Sequence, residues 1–197
     1  MLHPIFIELL YSKNINQFSS LDEYLINLVN YKKNQYQNKS ATNWFCDTFN
    51  TLGIEELFDD SNLDELYQFI KDEVIFVSKK YGVENNGVQC IDSWINLAGT
   101  GDFQEFHTHP RSHFSIVYYI TVPENSGRIV FRSPRSQSMF PLPTGQHTQA
   151  NCNTYVYQPK NNDLLIFRSD LLHMVEKNKS HQDRISISAN FSFEYSS

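Results

Sequence analysis

Cysteine is scarce: Cys46, Cys90 and Cys152 are the only three among 197 residues. An odd number at long spacings supports neither a disulfide framework nor a zinc pattern, and implies buried thiols in a reducing compartment. Basic residues are also in deficit, 16 Lys and Arg against 22 Asp and Glu, for a formal net charge of −6. With the acidic residues spread rather than blocked, nothing marks a nucleic-acid or anionic-membrane binder. No segment approaches the roughly 20 apolar residues that a membrane span needs. The opening "MLHPIFIELLYSKN" has a short apolar run, but Glu8 interrupts it, and no basic n-region or small-residue cleavage site accompanies it. A soluble, cytoplasmic protein whose partner is a small molecule, a peptide or a protein is therefore expected. Oligomeric state, a homodimer included, has no signature in the chain.

What is present is apolar and aromatic mass, 40% and 14% of the residues, enough for one sizeable core in a chain rather short for two. A single domain over 1–197 is expected, with a helical support region over 1–87 and a β core over 88–197. "SLDEYLINLVNYKK" reads as a helix with Ser20 and Glu23 forming a capping box, and with Leu21, Tyr24, Leu25, Leu28 and Val29 at helical spacing. "SNLDELYQFIKDEVIFVSKKYG" reads as a second helix, with Leu63, Leu66, Tyr67, Ile70, Val74 and Val77 on one face and Gly82 as its C-terminal cap.

From about residue 88 the period changes to two. "VQCIDSWINL", "FQEFHTH", "FSIVYYITV", "RIVFR", "TYVYQ", "DLLIFRS", "LHMVE" and "RISISANFSF" read as strands. Eight short strands after a helical region predict a mainly β fold, a double-stranded β-helix of the cupin-like jelly-roll type, with the helices on one sheet's outer face. The polar, proline-containing connection over 133–153 is the candidate substrate-facing loop.

Seven histidines are present, and three fall within "EFHTHPRSHF". On a strand His107 and His109 share a face and can offer two imidazoles to one ion, although two exposed histidines on an edge strand would read the same way. "DLLIFRSDLLHMVE" supplies His173 at the start of a later strand, and three such ligands with open positions are what a non-haem iron facial triad requires. His113 lies about 13 Å further along, a rim or substrate-side residue. His3, His147 and His181 read as surface residues.

Eleven residues past His173 comes "RISISANFSF", in which Ile185, Ile187, Ala189, Phe191 and Phe193 alternate with Arg184, Ser186, Ser188, Asn190 and Ser192. The polar face is either solvated or turned into the barrel. If it is turned inward, Arg184 needs an anion, and a guanidinium beside the Ser186 hydroxyl suits a carboxylate.

Together "GTGDFQEFHTHP", "HFSIVYYI", "DLLIFRSDLLHMVE" and "RISIS" resemble the Fe(II)/2-oxoglutarate-dependent oxygenases of the prolyl-hydroxylase type, and more narrowly small bacterial and phage members of that superfamily. The resemblance covers roughly residues 90–193. It implies Fe(II), 2-oxoglutarate and O2 as the reaction's metal, co-substrate and oxidant. His107 resembles the proximal histidine ligand and His173 the distal one. Tyr119 resembles the tyrosine that binds the far carboxylate of 2-oxoglutarate, with Arg184 as its salt-bridge partner and Ser186 completing an Arg-x-Ser pattern. Asn96 is a candidate for the other carboxylate or the substrate. His109 departs from the superfamily's usual His-x-Asp or His-x-Glu, although the narrower group carries His-x-His-Pro as here. A neutral imidazole in that place leaves open whether position 109 is a ligand.

The expected activity is that of a hydroxylase coupling 2-oxoglutarate decarboxylation to succinate with C–H hydroxylation of a substrate, with Arg132 and Arg135 as rim charges. Two alternatives stand beside it: a three-histidine cupin-type dioxygenase that needs no 2-oxoglutarate, and a non-catalytic cupin-like binding module.

Overall fold

Apolar and polar residues alternate along the long strands, and the architecture follows from where the two faces go. The computed structural model of the protein describes residues 1, 3, 7–36, 45, 48–84, 87–134, 145–146, 148 and 151–193. In chain order the elements are β1 (Tyr11–Asn14), α1 (Asp22–Gln35), β2 (Phe49–Asn50), α2 (Asp64–Lys80), β3 (Val88–Ala98), β4 (Gln104–His107), β5 (Phe114–Thr121), β6 (Ile129–Arg132), β7 (Thr154–Tyr157), β8 (Asp163–Arg168), β9 (His173–Val175) and β10 (Arg184–Phe193). Six strands in the order β1-β8-β5-β10-β3-β2 form a major sheet, and four in the order β4-β9-β6-β7 form a minor one. All pairings are antiparallel. This is the double-stranded β-helix expected from the strand pattern.

Residue parity decides what each major-sheet strand faces. Ile95 and Leu97 of β3, Phe114, Ile116 and Tyr118 of β5, Leu164 and Ile166 of β8, and Ile187, Ala189 and Phe191 of β10 are all buried in one cluster. Leu25 and Val29 of α1 and Leu66, Ile70, Val74 and Val77 of α2 fill the other side of that cluster. The helices therefore cover the sheet's outer face. Opposite parity sends Tyr119, Leu165 and Phe167 into a second cluster with Ile129 and Phe131 of the minor sheet.

Three local details differ from or sharpen the sequence reading. Ser20 and Glu23 make no capping box: a 3-10 turn, Asn16–Leu21, runs straight into α1, so Ser20 lies inside helical structure and Leu21 takes the cap position without a side-chain bond. Gly82 does cap α2, with φ of 76°. Its N–H reaches the Lys79 carbonyl, and that of Val83 reaches the Ser78 carbonyl, the paired bonds of a Schellman end. The N-terminal region is also not purely helical, since β1 and β2 add the two edge strands of the major sheet. "YSKN" in β1 is mostly exposed and carries no alternation, so its pairing to β8 left no mark in the pattern.

Much of the 133–153 connection, Arg135 and His147 among it, lies outside the described residues, as does Cys46. Cys90 and Cys152 are partly buried, and burial pushes the Cys90 thiol up to about 12. Among the described residues no helix is long and apolar enough to cross a membrane.

Ile70 is fully buried between α2 and the sheet. Ile70→Ala should cost about 2–5 kcal/mol of unfolding free energy, seen in urea titration as a lower midpoint with an unchanged slope.

Candidate active site

Between the two sheets lies a cavity of about 560 Å³. That volume falls within the roughly 300–1,000 Å³ usual for small-molecule sites. Its walls come from the inward parity of β3 and β10, with Asp92, Trp94, Asn96 and Ala98 beside Arg184, Ser186, Ser188 and Asn190. Ile91, Thr108, Pro110 and Arg111 also line it and are exposed, which marks its open end. The polar face of "RISISANFSF" thus turns inward as far as Asn190. Ser192 instead bonds the Nδ1 of His113 at 2.8 Å, and His113 does not line the cavity. The rim role expected for His113 is corrected accordingly: its ring fastens the end of β10.

His107 and His173 meet by strand register. They are direct partners across the antiparallel β4–β9 pair, and their ring centroids lie 4.2 Å apart. His109 joins them by a different route from the one expected. β4 ends at His107, and the His109 N–H goes not into that ladder but to the Ser169 carbonyl, 2.9 Å away. The following Pro110 favours an extended backbone at position 109, which prolongs the strand direction without its hydrogen bonds. The His109 ring lies 5.0 Å from His107 and 5.2 Å from His173, centroid to centroid. One nitrogen from each of the three lies within 4.8 Å of the others.

Local hydrogen bonds orient two of these rings. His107 Nδ1 lies 2.7 Å from the Glu105 carbonyl, and His173 Nδ1 lies 2.8 Å from the Leu171 carbonyl. A carbonyl accepts only, so in both rings Nδ1 carries the proton and Nε2 is left with a lone pair. Burial drives the imidazoles toward the neutral form. His173, packed on Phe167 with ring centroids 4.8 Å apart, is pushed down to about 3 by desolvation and by its neighbour His107. His109 is pushed down to about 4 for the same two reasons, and His107 is also lowered by burial. Three neutral, converging nitrogen donors suit a divalent first-row metal such as iron, and three protein ligands leave coordination positions open.

Arg184, 5% exposed, lines the same cavity, and its Nη1 donates to the Ser126 carbonyl at 2.7 Å. Tyr119 and Ser186 are register partners on neighbouring strands and line the cavity too. Burial pushes the Tyr119 phenol up against the lowering pull of Arg184, so it stays a neutral donor. Asn96 is also on the wall, but its amide is engaged at both ends: Oδ1 accepts from Trp94 Nε1 at 3.1 Å and Nδ2 donates to Ser188 Oγ at 3.1 Å. Arg132 is exposed and does not line the cavity. Asp92 and Trp94 were missed in the sequence, although they share the parity of Asn96 in "IDSWIN". His3 and His181 are exposed, as expected.

A family model described as "Putative 2OG-Fe(II) oxygenase" matches residues 92–190, half of the chain. No curated protein matches it. Among solved structures, a prolyl-4-hydroxylase from Pseudomonas putida is similar at 13% identity and TM-score 0.65, covering 94% of this chain and 93% of that one. HygX from Streptomyces hygroscopicus, with nickel and 2-oxoglutarate bound, is similar at 10% identity and TM-score 0.62, covering 94% and 83%. A prolyl hydroxylase from Trichoplax adhaerens, in complex with a hypoxia-inducible-factor peptide fragment, is similar at 14% identity and TM-score 0.60, covering 93% and 83%. The chain belongs to the 2OG-Fe(II) oxygenase family: it is an iron- and 2-oxoglutarate-dependent oxidoreductase with the fold of the prolyl hydroxylases.

Proposed function

We propose that the protein is a hydroxylase: substrate C–H, O2 and 2-oxoglutarate are converted to substrate C–OH, succinate and CO2. The observation that carries this reading is that the three-histidine cluster and the buried Arg184 guanidinium open into one cavity. Iron, when bound with 2-oxoglutarate, supplies the O2 activation that no side chain can provide.

The chain's own residues do the rest. His107, His109 and His173 hold the metal through neutral nitrogens, with His107 and His173 kept in one tautomer by their carbonyl partners. Arg184 takes the far carboxylate of 2-oxoglutarate, with Tyr119 and Ser186 donating beside it. Asn96 acts through Trp94 and Ser188, which it holds in place on the wall. The apolar ring wall of Phe131 and Phe167 against His173 limits water at the metal. For the substrate, the open end lined by Ile91, Thr108, Pro110 and Arg111 favours a peptide side chain or a small molecule that enters from solvent. The peptide bound to the Trichoplax enzyme supports the peptide case. We further take the chain as one domain, cytoplasmic, with the 1–87 region supporting the barrel.

A co-substrate-free dioxygenase would share the all-histidine cluster, but it gives Arg184 no purpose in the cavity. A binding module would share the fold without needing the neutral nitrogens.

Anaerobic Fe(II) or Co(II) should raise the melting temperature by several degrees, since ligand at ~100 Kd stabilises by about 2.7 kcal/mol. His173→Ala and His109→Ala should each lose most of that shift in differential scanning fluorimetry; an unaltered shift in the second variant would make His109 a bystander. Succinate release should be strictly dependent on 2-oxoglutarate. In Arg184→Ala the KM for 2-oxoglutarate should rise by about 10- to 100-fold, equivalent to about 1.4–2.8 kcal/mol of lost carboxylate binding, while Co(II) affinity holds. Turnover indifferent to 2-oxoglutarate would sink the co-substrate reading.

A further inference from the structure

The guanidinium of Arg184 is backed by a turn in which only a hydrogen fits at one position. Between β5 and β6, the Ser126 N–H closes a turn on the Pro123 carbonyl at 3.1 Å, and Asn125 and Gly127 take φ of 61° and 92°. This left-handed backbone aims the carbonyl of the fully buried Ser126 at Arg184 Nη1, 2.7 Å away.

The turn is clamped to the segment that links β9 and β10. Glu176 N–H donates to the Arg128 carbonyl at 2.9 Å, and Lys179 N–H donates to the Asn125 carbonyl at 2.9 Å. On the exposed side the Arg128 guanidinium forks onto the Glu176 carboxylate, with Nε and Nη2 at 2.6 and 2.7 Å. Gly127 is thereby wedged between the Glu176 backbone and Arg184. A Cβ there would overlap the Glu176 carbonyl oxygen, lie 2.9 Å from its carbon and stand 3.0 Å from Arg184 Nη1. An added methyl must therefore push the turn off Glu176 or push the guanidinium off the turn. In either case the bond from Nη1 to the Ser126 carbonyl is stretched, and the arginine loses the contact that fixes its reach into the cavity.

We propose that Gly127 and the Ser126 carbonyl are positioning groups for Arg184, setting where the guanidinium presents itself to an incoming carboxylate. The proposal rests on the reading that Arg184 anchors 2-oxoglutarate. It adds that the anchor's placement is set from behind, by a tight turn of the β5–β6 connection rather than by β10 alone. Co-substrate affinity and metal affinity are then separable: the turn bonds the guanidinium, whereas the histidines are held by the Glu105, Leu171 and Ser169 carbonyls.

The test is 2-oxoglutarate calorimetry on the Co(II)-loaded full chain under argon, with Co(II) affinity read from its visible spectrum. Gly127→Ala should weaken 2-oxoglutarate binding by about 10-fold or more, as expected for a misplaced anchoring group, with Co(II) affinity unchanged. Arg184→Lys lacks Nη1, so in that background Gly127→Ala should add less than about a twofold loss, the non-additivity of residues acting through one contact. Undiminished 2-oxoglutarate binding in Gly127→Ala, the same loss in the lysine background, or a parallel loss of Co(II) would each overturn the proposal. Should Gly127→Ala not fold, Arg128→Gln loosens the clamp from its exposed side. It should weaken 2-oxoglutarate by about threefold, a partial loosening of the same contact, and no change there overturns the proposal too. A wild-type protein that takes Co(II) but not 2-oxoglutarate overturns the co-substrate reading itself, a result distinct from wild-type binding that the variants leave intact.

Discussion

A sheet buried on both faces presents two surfaces, and here one is apolar throughout while the other joins an apolar cluster to a polar cavity wall. β10 carries the constraint most plainly. Ile185, Ile187, Ala189 and Phe191 face the helices, while Arg184, Ser186, Ser188 and Asn190 face the cavity. A register slip of one residue would reverse every one of these, placing a guanidinium under α2 and a phenylalanine over the cluster of histidines. Pairing β10 with both β3 and β5 over most of their lengths fixes that register. The helical cover, the cavity wall and the inward placement of Arg184 therefore depend on one pattern of hydrogen bonds.

The electrostatics of the cavity follow from what it buries. A carboxylate in place of His109 would be a buried anion before metal arrives, with a desolvation cost that a neutral imidazole does not incur. With three imidazoles held neutral by burial, the buried charged side chain on the cavity wall is Arg184, with the partly exposed Asp92 and the exposed Arg111 also lining it. On the proposed reading, Fe(II) with dianionic 2-oxoglutarate would make a neutral centre in such a ligand set. Arg184 would then be left to balance the far carboxylate locally, which would make its position matter more than its charge alone.

Much of this was legible in the chain, and the limits of legibility are physical. The eight core strands and the buried face of α2 declare themselves because burial selects side chains at a fixed period, two for strands and 3.6 for helices. Arg184 and Ser186 are readable for the same reason: polar residues at strand parity opposite an apolar face must look at solvent or at a ligand. Ser20 misled because a capping-box pattern specifies a first turn, and tertiary contacts instead ran a 3-10 turn through it. His113 misled because its strand parity says nothing of the Ser192 hydroxyl waiting on the neighbouring strand. β1 and β2 were unreadable, since four and two residues are too few to display a period, and the backbone bonds that pair them to β8 and β3 leave no mark in the sequence. Gly127 carries no signal either, because a backbone wedged against another backbone leaves no trace in side-chain pattern.

His109 is the case in which position was anticipated and cause was not. Strand parity would have put it beside His107, but β4 ends at His107, two residues short of it. What holds position 109 is a buried polar chain across the major sheet. Ser115 Oγ donates to Asn190 Oδ1 at 2.8 Å and bonds Ser169 Oγ at 2.9 Å, and the Ser169 carbonyl accepts the His109 N–H. Asn190 Nδ2 continues the chain to Asp92 at 3.3 Å, on the cavity wall. Ser115, Ser169 and Asn190 are all nearly inaccessible, so each bond is costly to leave unmade, and the chain resists sliding. The loop that carries His109 is thus tied to β5 and β10, the same strands that carry Tyr119 and Arg184. The histidine cluster and Arg184 share one rigid reference, and the distance between them is set by β-sheet geometry and not by the loop.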